Sequence, residues 1–303
     1  MVYLILAIIC SATIALIFKY TENNHGNRYV ITSANYFIAF TTSLAMIIYN
    51  QTFKGIQKQT SFIGELKEAF AAKDLLLSPY GSVIWAIMVG SLFGGFFFMS
   101  FIFYQKSVRK NGVGISGTFS KLGILIPMIF SMVLWREYPT GIQWIGIILA
   151  LTSILIVNLS FEGIKKIEIE PALILLFVFG GLAEFSNKIY QKYGLSDYKS
   201  VFLFFIFFVA FLISVVYAKK KKAEVKMKDV LTGFAVGIPN LFSSYFLILS
   251  LDTLTTSVAF PLFSAGSILF ITLGGYFIFK ERITNKNKLA MGLIIVALIL
   301  LNL

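Results

Sequence analysis

Ten apolar stretches, most of them near twenty residues long, follow one another along this chain with short polar joints between them. At about 1.5 Å per residue, a helix of that length crosses the roughly 30 Å hydrocarbon layer of a bilayer. Inside that layer the backbone must satisfy its own hydrogen bonds, so the stretches are expected to be helices. They run approximately Val2–Phe18, Val30–Tyr49, Ser82–Tyr104, Val113–Trp135, Gly141–Leu159, Ala172–Tyr190, Val201–Ala218, Val230–Leu251, Thr255–Phe279 and Leu289–Leu303. The fold class is therefore an all-α integral membrane protein with ten transmembrane helices. With 58% hydrophobic and 13% charged residues, the chain is no soluble enzyme, nucleic-acid binder or secreted module.

The formal charge of +12 is read as topology, because Lys and Arg lie in the joints, where they meet anionic lipid and set orientation. Odd-numbered joints hold 17 of them, including the run Lys219 to Lys222, and even-numbered joints hold 8. Odd joints in the cytoplasm and both termini outside is the resulting expectation. The first stretch has no basic residues before it and is read as a retained helix rather than a cleaved signal. Without a recognisable targeting peptide, a prokaryotic plasma membrane is expected. The longest joint, Asn50 to Gly81, forms either an amphipathic helix on the interface (Phe62, Leu66, Ala69 and Phe70) or a flexible loop. Cys10 has no second cysteine to pair with, and His25 stands alone in a joint, so neither a disulfide, a metal site nor any cofactor is expected.

The chain repeats itself. A shift of 144 residues places Arg136-Glu137 on Lys280-Glu281, Phe119-Ser120 on Phe263-Ser264, and Asn158-Leu159 on Asn302-Leu303. Because five is odd, a second copy of five spans enters the membrane from the opposite side. Two inverted five-helix repeats follow, residues 1–159 (with the interfacial segment 50–81) and 160–303. Substrate sites in such proteins lie near the midplane between the repeats.

Of 26 basic and 14 acidic residues, only Lys121 and Glu184 fall well inside a stretch. A charge there costs about 2.5–3.5 kcal/mol on insertion scales, so each is expected to face a partner or a wet cavity. The structural alternatives are a Glu184–Lys188 pair at i,i+4 spacing, a Lys121 that snorkels, and a direct Glu184–Lys121 gate. Asn35, Tyr36, Trp85, Asn240, Ser243, Ser244 and Tyr245 supply polar groups that either line a cavity or bind helices together. Pro239 and Pro261 interrupt helical hydrogen bonding inside stretches, and Pro261 corresponds to Gly117 in the first half; these positions read as hinges or simple kinks. Glu137 and Glu281 follow basic neighbours at span ends and read as solvated interfacial pairs. Gly114-Ile115-Ser116-Gly117 has the pattern of a membrane serine protease but no base to serve it, so no enzyme is expected.

Gly180-Gly181-Leu182-Ala183-Glu184, with Lys192 eight residues beyond the acid, resembles the first helix of small multidrug resistance transporters. The ten spans, the two halves, and the endings Pro127 to Glu137 and Pro261 to Glu281 together resemble the EamA-like branch of the drug/metabolite transporter superfamily over nearly the whole chain. The resemblance implies a secondary transporter of small metabolites, an exporter or exchanger working by alternating access. Its partners would be a small-molecule substrate, protons and membrane lipid; oligomeric state is left open. A single carboxylate beside a cationic Lys121 departs from the paired acids of the small family. It favours a zwitterion such as an amino acid, with a proton-coupled exporter of cationic drugs as the alternative. A channel or a non-transporting scaffold is the reading from another class.

Overall fold

The computed structural model describes residues 1–22, 26–57, 61–72, 75–158 and 171–303, apart from the side chains of residues 21–22, 105, 108–114 and 158. The boundary expected at 159/160 and His25 lie outside the described residues. The described chain is helical: α1 (Val2–Glu22), α2 (Arg28–Tyr49), α3 (Phe62–Ala71), α4 (Pro79–Leu122), α5 (Leu125–Trp135), α6 (Gly141–Asn158), α7 (Pro171–Tyr193), α8 (Lys199–Lys220), α9 (Met227–Leu251), α10 (Thr256–Phe279) and α11 (Asn285–Leu301). Eight segments are long and apolar enough to cross a membrane, and α6 contributes a shorter apolar one.

The joint expected between the third and fourth stretches is helical, because 105–112 contains no proline and its polar residues do not stop a helix. The chain nevertheless doubles back there. Ser107 and Ser116 share a hydrogen bond of 2.7 Å, although nine residues of straight helix would rise about 13.5 Å. That contact ties Ser116 to Ser107 across the bend. The two crossing segments are thus Pro79–Tyr104 and Ile115–Trp135, the second passing through a turn at Gly123 and Ile124.

Helix packing is set by small residues. A Cβ at Gly90 or Gly94 would strike the carbonyls of Phe202 or Ile206, so these glycines let α4 lie directly on α8. Gly233 and Gly237 lay α9 on α2 in the same way, against the carbonyls of Ile31 and Asn35. α1 packs on α9 and α10, α7 on α4 and α5, and α6 on α11. One core joins α2, α4, α7 and α8 around Tyr36, Tyr190, Phe202 and Phe207. A second forms among α1, α9 and α10 around Leu4, Leu247, Phe260 and Leu262.

Helix ends recur at fixed offsets too. Arg136 and Lys280 close α5 and α10 in the left-handed conformation, φ 57° and 54°. The next residues, Glu137 and Glu281, donate their N–H groups back to the carbonyls of Ser131 and Gly275. Thr140 and Thr284 then each accept an N–H bond three residues on, from Gln143 and Asn287, opening α6 and α11. In the joint after α2, the helical alternative is the one observed. α3 buries Ala69 and sets Phe70 edge-on to Tyr193 and Trp85, and its Glu65 accepts from the N–H and hydroxyl of Ser78 ahead of α4.

Candidate functional site

Glu184 and Lys121 meet in one cavity of about 310 Å³, whose lining comes from α1, α4, α7, α9 and α10. Glu184 is held by its place on α7, where Gly181 allows a close crossing with Gly123 and Ile126. Its carboxylate accepts one long bond, 3.4 Å, from the Asn187 amide. Lys121 projects from the last turn of α4, with its ammonium 6.0 Å from the centre of the Phe263 ring. The two opposite charges form no direct ion pair among the described residues, so the gate made by direct contact is not present. The i,i+4 alternative is also unrealised, because Lys188 turns away from Glu184.

Asn240 of α9 reaches the same cavity, and its side-chain amide donates to Oδ1 of Asn35 at 3.1 Å. Asn35 itself is buried behind it, where it holds Asn240 in place. The expected hinge residue Pro239 immediately precedes Asn240, and α9 continues through it. α10 likewise continues through Pro261, which is buried two residues before the lining Phe263. Gly117, one turn ahead of Lys121, is half-buried within α4.

Other expected residues go elsewhere. Tyr36 stacks on Phe207 with ring centres 6.2 Å apart, inside the α2–α8 core. Tyr245 receives the Lys199 ammonium over its ring at 4.7 Å, near the end of α9. Trp85 donates to the Ile189 carbonyl and Ser243 to that of Ala7, both as helix-to-helix ties. Ser120 and Ser264 line the cavity beside aromatic walls from Phe97, Phe101 and Tyr104, and none of these was singled out as a candidate. The two serines were visible only as matched positions of the repeat.

One turn beyond Glu184 on α7 lies a buried polar cluster. Lys188, its side chain 4% exposed, pairs with Glu137 at 2.7 Å and also donates to Gln191. Gln191 in turn donates to Asp252, which accepts from Ser196 as well. Glu137 also accepts from the Ser131 hydroxyl and from the backbone N–H of Thr256, the first residue of α10. Trp135 hydrogen-bonds Tyr193 across the same end, and the Lys188 ammonium sits over its ring. The solvated pairing expected for Glu137 is therefore replaced by a partner from α7. Burial alone would raise the carboxyl, yet Lys188 and the hydrogen bonds from Lys188, Ser131 and Thr256 hold it down at about 2.

The opposite end is built from the matching residue. Glu281, after α10, pairs at 2.5 Å with Lys19 near the end of α1, and both are substantially exposed. The two pairs are separated by the 24 residues of α10, about 36 Å. From Glu184 the cavity extends along Tyr104 and Ile14 toward this second, wetter end.

A model of the EamA-like transporter family matches residues 1–159. The chain is 22% identical to an uncharacterised protein of Haemophilus influenzae over 293 residues, 95% of this chain and 93% of the other. It is 35% identical to a Bacillus subtilis membrane protein, YvaE, over 79 residues, 24% of this chain and 66% of that protein. A solved crystal structure superposes with a TM-score of 0.68 at 14% identity, covering 99% of this chain and 94% of the other, a likeness of fold.

Proposed function

Because the chain belongs to the EamA-like transporter family, we propose that it is a secondary active transporter, an exporter or exchanger, of a small polar or zwitterionic metabolite such as an amino acid. The observation that carries this reading is the pair of opposite charges, Glu184 and Lys121, on the wall of one cavity without a bond between them. Either charge buried alone is costly, and a substrate ammonium against Glu184 with a carboxylate against Lys121 would satisfy both. Asn240 and the two lining serines add uncharged hydrogen-bond groups for the substrate's remaining polar atoms. Phe97, Phe101 and Phe263 offer an apolar wall to its side chain. Lys121 in the cavity wall counts against cationic drugs as the cargo.

The ten-span, inverted-repeat architecture belongs to the same proposal. It is supported by packing that exchanges partners between the halves: α4 lies on α8 as α9 lies on α2, each by a pair of glycines four residues apart. The matched left-handed caps at Arg136 and Lys280 point the same way. Alternating access then becomes an exchange of seals, with Glu137–Lys188 closed here and Lys19–Glu281 taking its part in the other state. A proton and a substrate ammonium compete for the one carboxylate of Glu184, which couples export of one to entry of the other. A prokaryotic plasma membrane, with the Lys19–Glu281 end in the cytoplasm, fits the placement of basic joints.

The test is uptake into vesicles containing the purified protein. Saturable, concentrative exchange of an amino acid that falls at least tenfold in both Glu184→Gln and Lys121→Met is expected, the size of effect that follows from losing about 1.4 kcal/mol or more of charge-assisted binding. Wild-type rates in both variants would remove these residues from the mechanism. A downhill, non-saturating flux would make the protein a channel, and no flux of any solute a scaffold.

A further inference from the structure

A second hollow, of about 400 Å³, lies away from the Glu184 cavity between α2, α8 and the start of α9. Its walls are apolar: Ala34 and Phe37 from α2, Phe211 and Val215 from α8, and Phe234 from α9. Phe37 stacks on Phe234 and leans on Phe211, with ring centres 6.0 and 5.6 Å apart, so the rings form one side of a slot that the helices leave unfilled. From Phe211 to Lys219 the lining follows α8 for eight residues, about 12 Å, along the helix axis and hence along the bilayer normal. An apolar groove of that length can take part of one extended hydrocarbon chain.

Its mouth is basic. Lys219 is part of the lining, and α8 ends in the run Lys219 to Lys222. Lys222 takes a left-handed conformation, φ 50°, and Ala223 bonds back to the Ala218 carbonyl, so the chain turns tightly after the run and brings Ala223 and Val225 back to line the slot beside Lys219. Lys221 lies over Tyr217. Among the described residues the nearby acid Glu224 is paired with Lys226, and none of Lys219, Lys220 or Lys222 has an acidic partner. An apolar slot that ends in a cluster of ammonium groups matches an acyl chain joined to a phosphate.

We propose that this slot is a binding site for an anionic glycerophospholipid, with one acyl chain between Phe37 and Val215 and the headgroup phosphate on the lysine run. A second copy of this chain is a poorer occupant. A two-fold axis along the membrane normal would bring two four-lysine runs together at the same depth, with like charges opposed. A zwitterionic lipid fits the slot but leaves the lysines with no net negative partner. The side carrying the run is the one assigned to the cytoplasm by its basic joints, the leaflet surface where anionic lipid attracts Lys and Arg.

The test uses the full-length protein in neutral detergent, exchanged against phosphatidylglycerol or phosphatidylcholine with identical acyl chains and read by native mass spectrometry. Retention of phosphatidylglycerol over phosphatidylcholine by about tenfold is expected for the wild type, since each lysine near an anionic surface adds a several-fold preference. Replacing Lys219, Lys220, Lys221 and Lys222 together by Gln should bring the ratio close to one. Val215→Trp, which fills the slot and leaves the lysines in place, should lose both lipids, which separates occupation of the slot from adsorption to surface charge. Equal retention of the two lipids by the wild type, an unchanged ratio in the quadruple variant, or a lipid-free species of twice the mass would each overturn the proposal.

Discussion

The two ends of α10 carry the same kind of contact built to opposite specifications. At its start, Glu137 is paired with a Lys188 that is 4% exposed and is further held by Ser131 and by the N–H of Thr256. Past its finish, Glu281 is 50% exposed and its partner Lys19 is 37% exposed, with the ring of Phe279 as the remaining support. Matching acids 144 residues apart thus end up in unlike surroundings. A buried pair is fixed because separating it strands a charge in a medium that cannot solvate it, whereas water takes over each member of an exposed pair at little cost. The burial of the first pair and the exposure of the second set how much stability each contributes.

The largest effect is therefore expected at Glu137. Glu137→Gln leaves the Lys188 ammonium without its counter-charge and should cost about 3–5 kcal/mol in reversible denaturation in detergent, most of it recovered when Lys188→Met is added. Glu281→Gln should cost less than about 1 kcal/mol in the same assay, and equal costs at the two ends would break the comparison. Accessibility sharpens it. A thiol placed at Ser257, whose hydroxyl now bonds the Glu137 carbonyl, should be shielded from a water-soluble reagent in the wild-type background and labelled in Glu137→Gln.

Acidity should act weakly on the buried pair. The Glu137 carboxyl lies at about 2, below its ordinary 4.5, so its contribution to stability is present above the ordinary value and is lost only as pH falls toward about 2. Labelling at position 257 should consequently be the same at about pH 8 and about pH 5; a rise across that interval would mean that Lys188 does not hold the carboxylate charged. The smallest expected effect belongs to the cavity serines. Ser120→Ala or Ser264→Ala should weaken substrate affinity by a few-fold, the worth of one neutral hydrogen bond, measured as a shift in half-saturating substrate.

Much of the architecture was legible because lipid imposes a strong pattern. Eight of the expected stretches coincide with helices long and apolar enough to cross a membrane, and the two charges inside them, Glu184 and Lys121, do share a cavity. Insertion cost alone singled those two out. The Glu137–Lys188 pair escaped because each residue stands near a span end, where solvation is the ordinary explanation, and the contact joins separate halves of the chain. Neither residue's own neighbourhood in sequence points to the other. Polar residues were harder for a related reason: Asn240 and Tyr36 look alike as hydrogen-bonding groups in apolar helices, and only packing sends one to the cavity and the other onto Phe207. The connection at 105–112 read as a loop by polarity, yet it keeps helical backbone while reversing direction.

The most direct measurement compares three ligands by thermal stabilisation of the purified protein: a transported amino acid, its amide, which lacks the carboxylate, and its N-acetyl derivative, which lacks the ammonium. The account predicts that the amino acid stabilises the wild type more than either derivative, that Glu184→Gln abolishes the advantage over the N-acetyl compound, and that Lys121→Met abolishes the advantage over the amide. Equal stabilisation by all three ligands, or unchanged preferences in both variants, would contradict it.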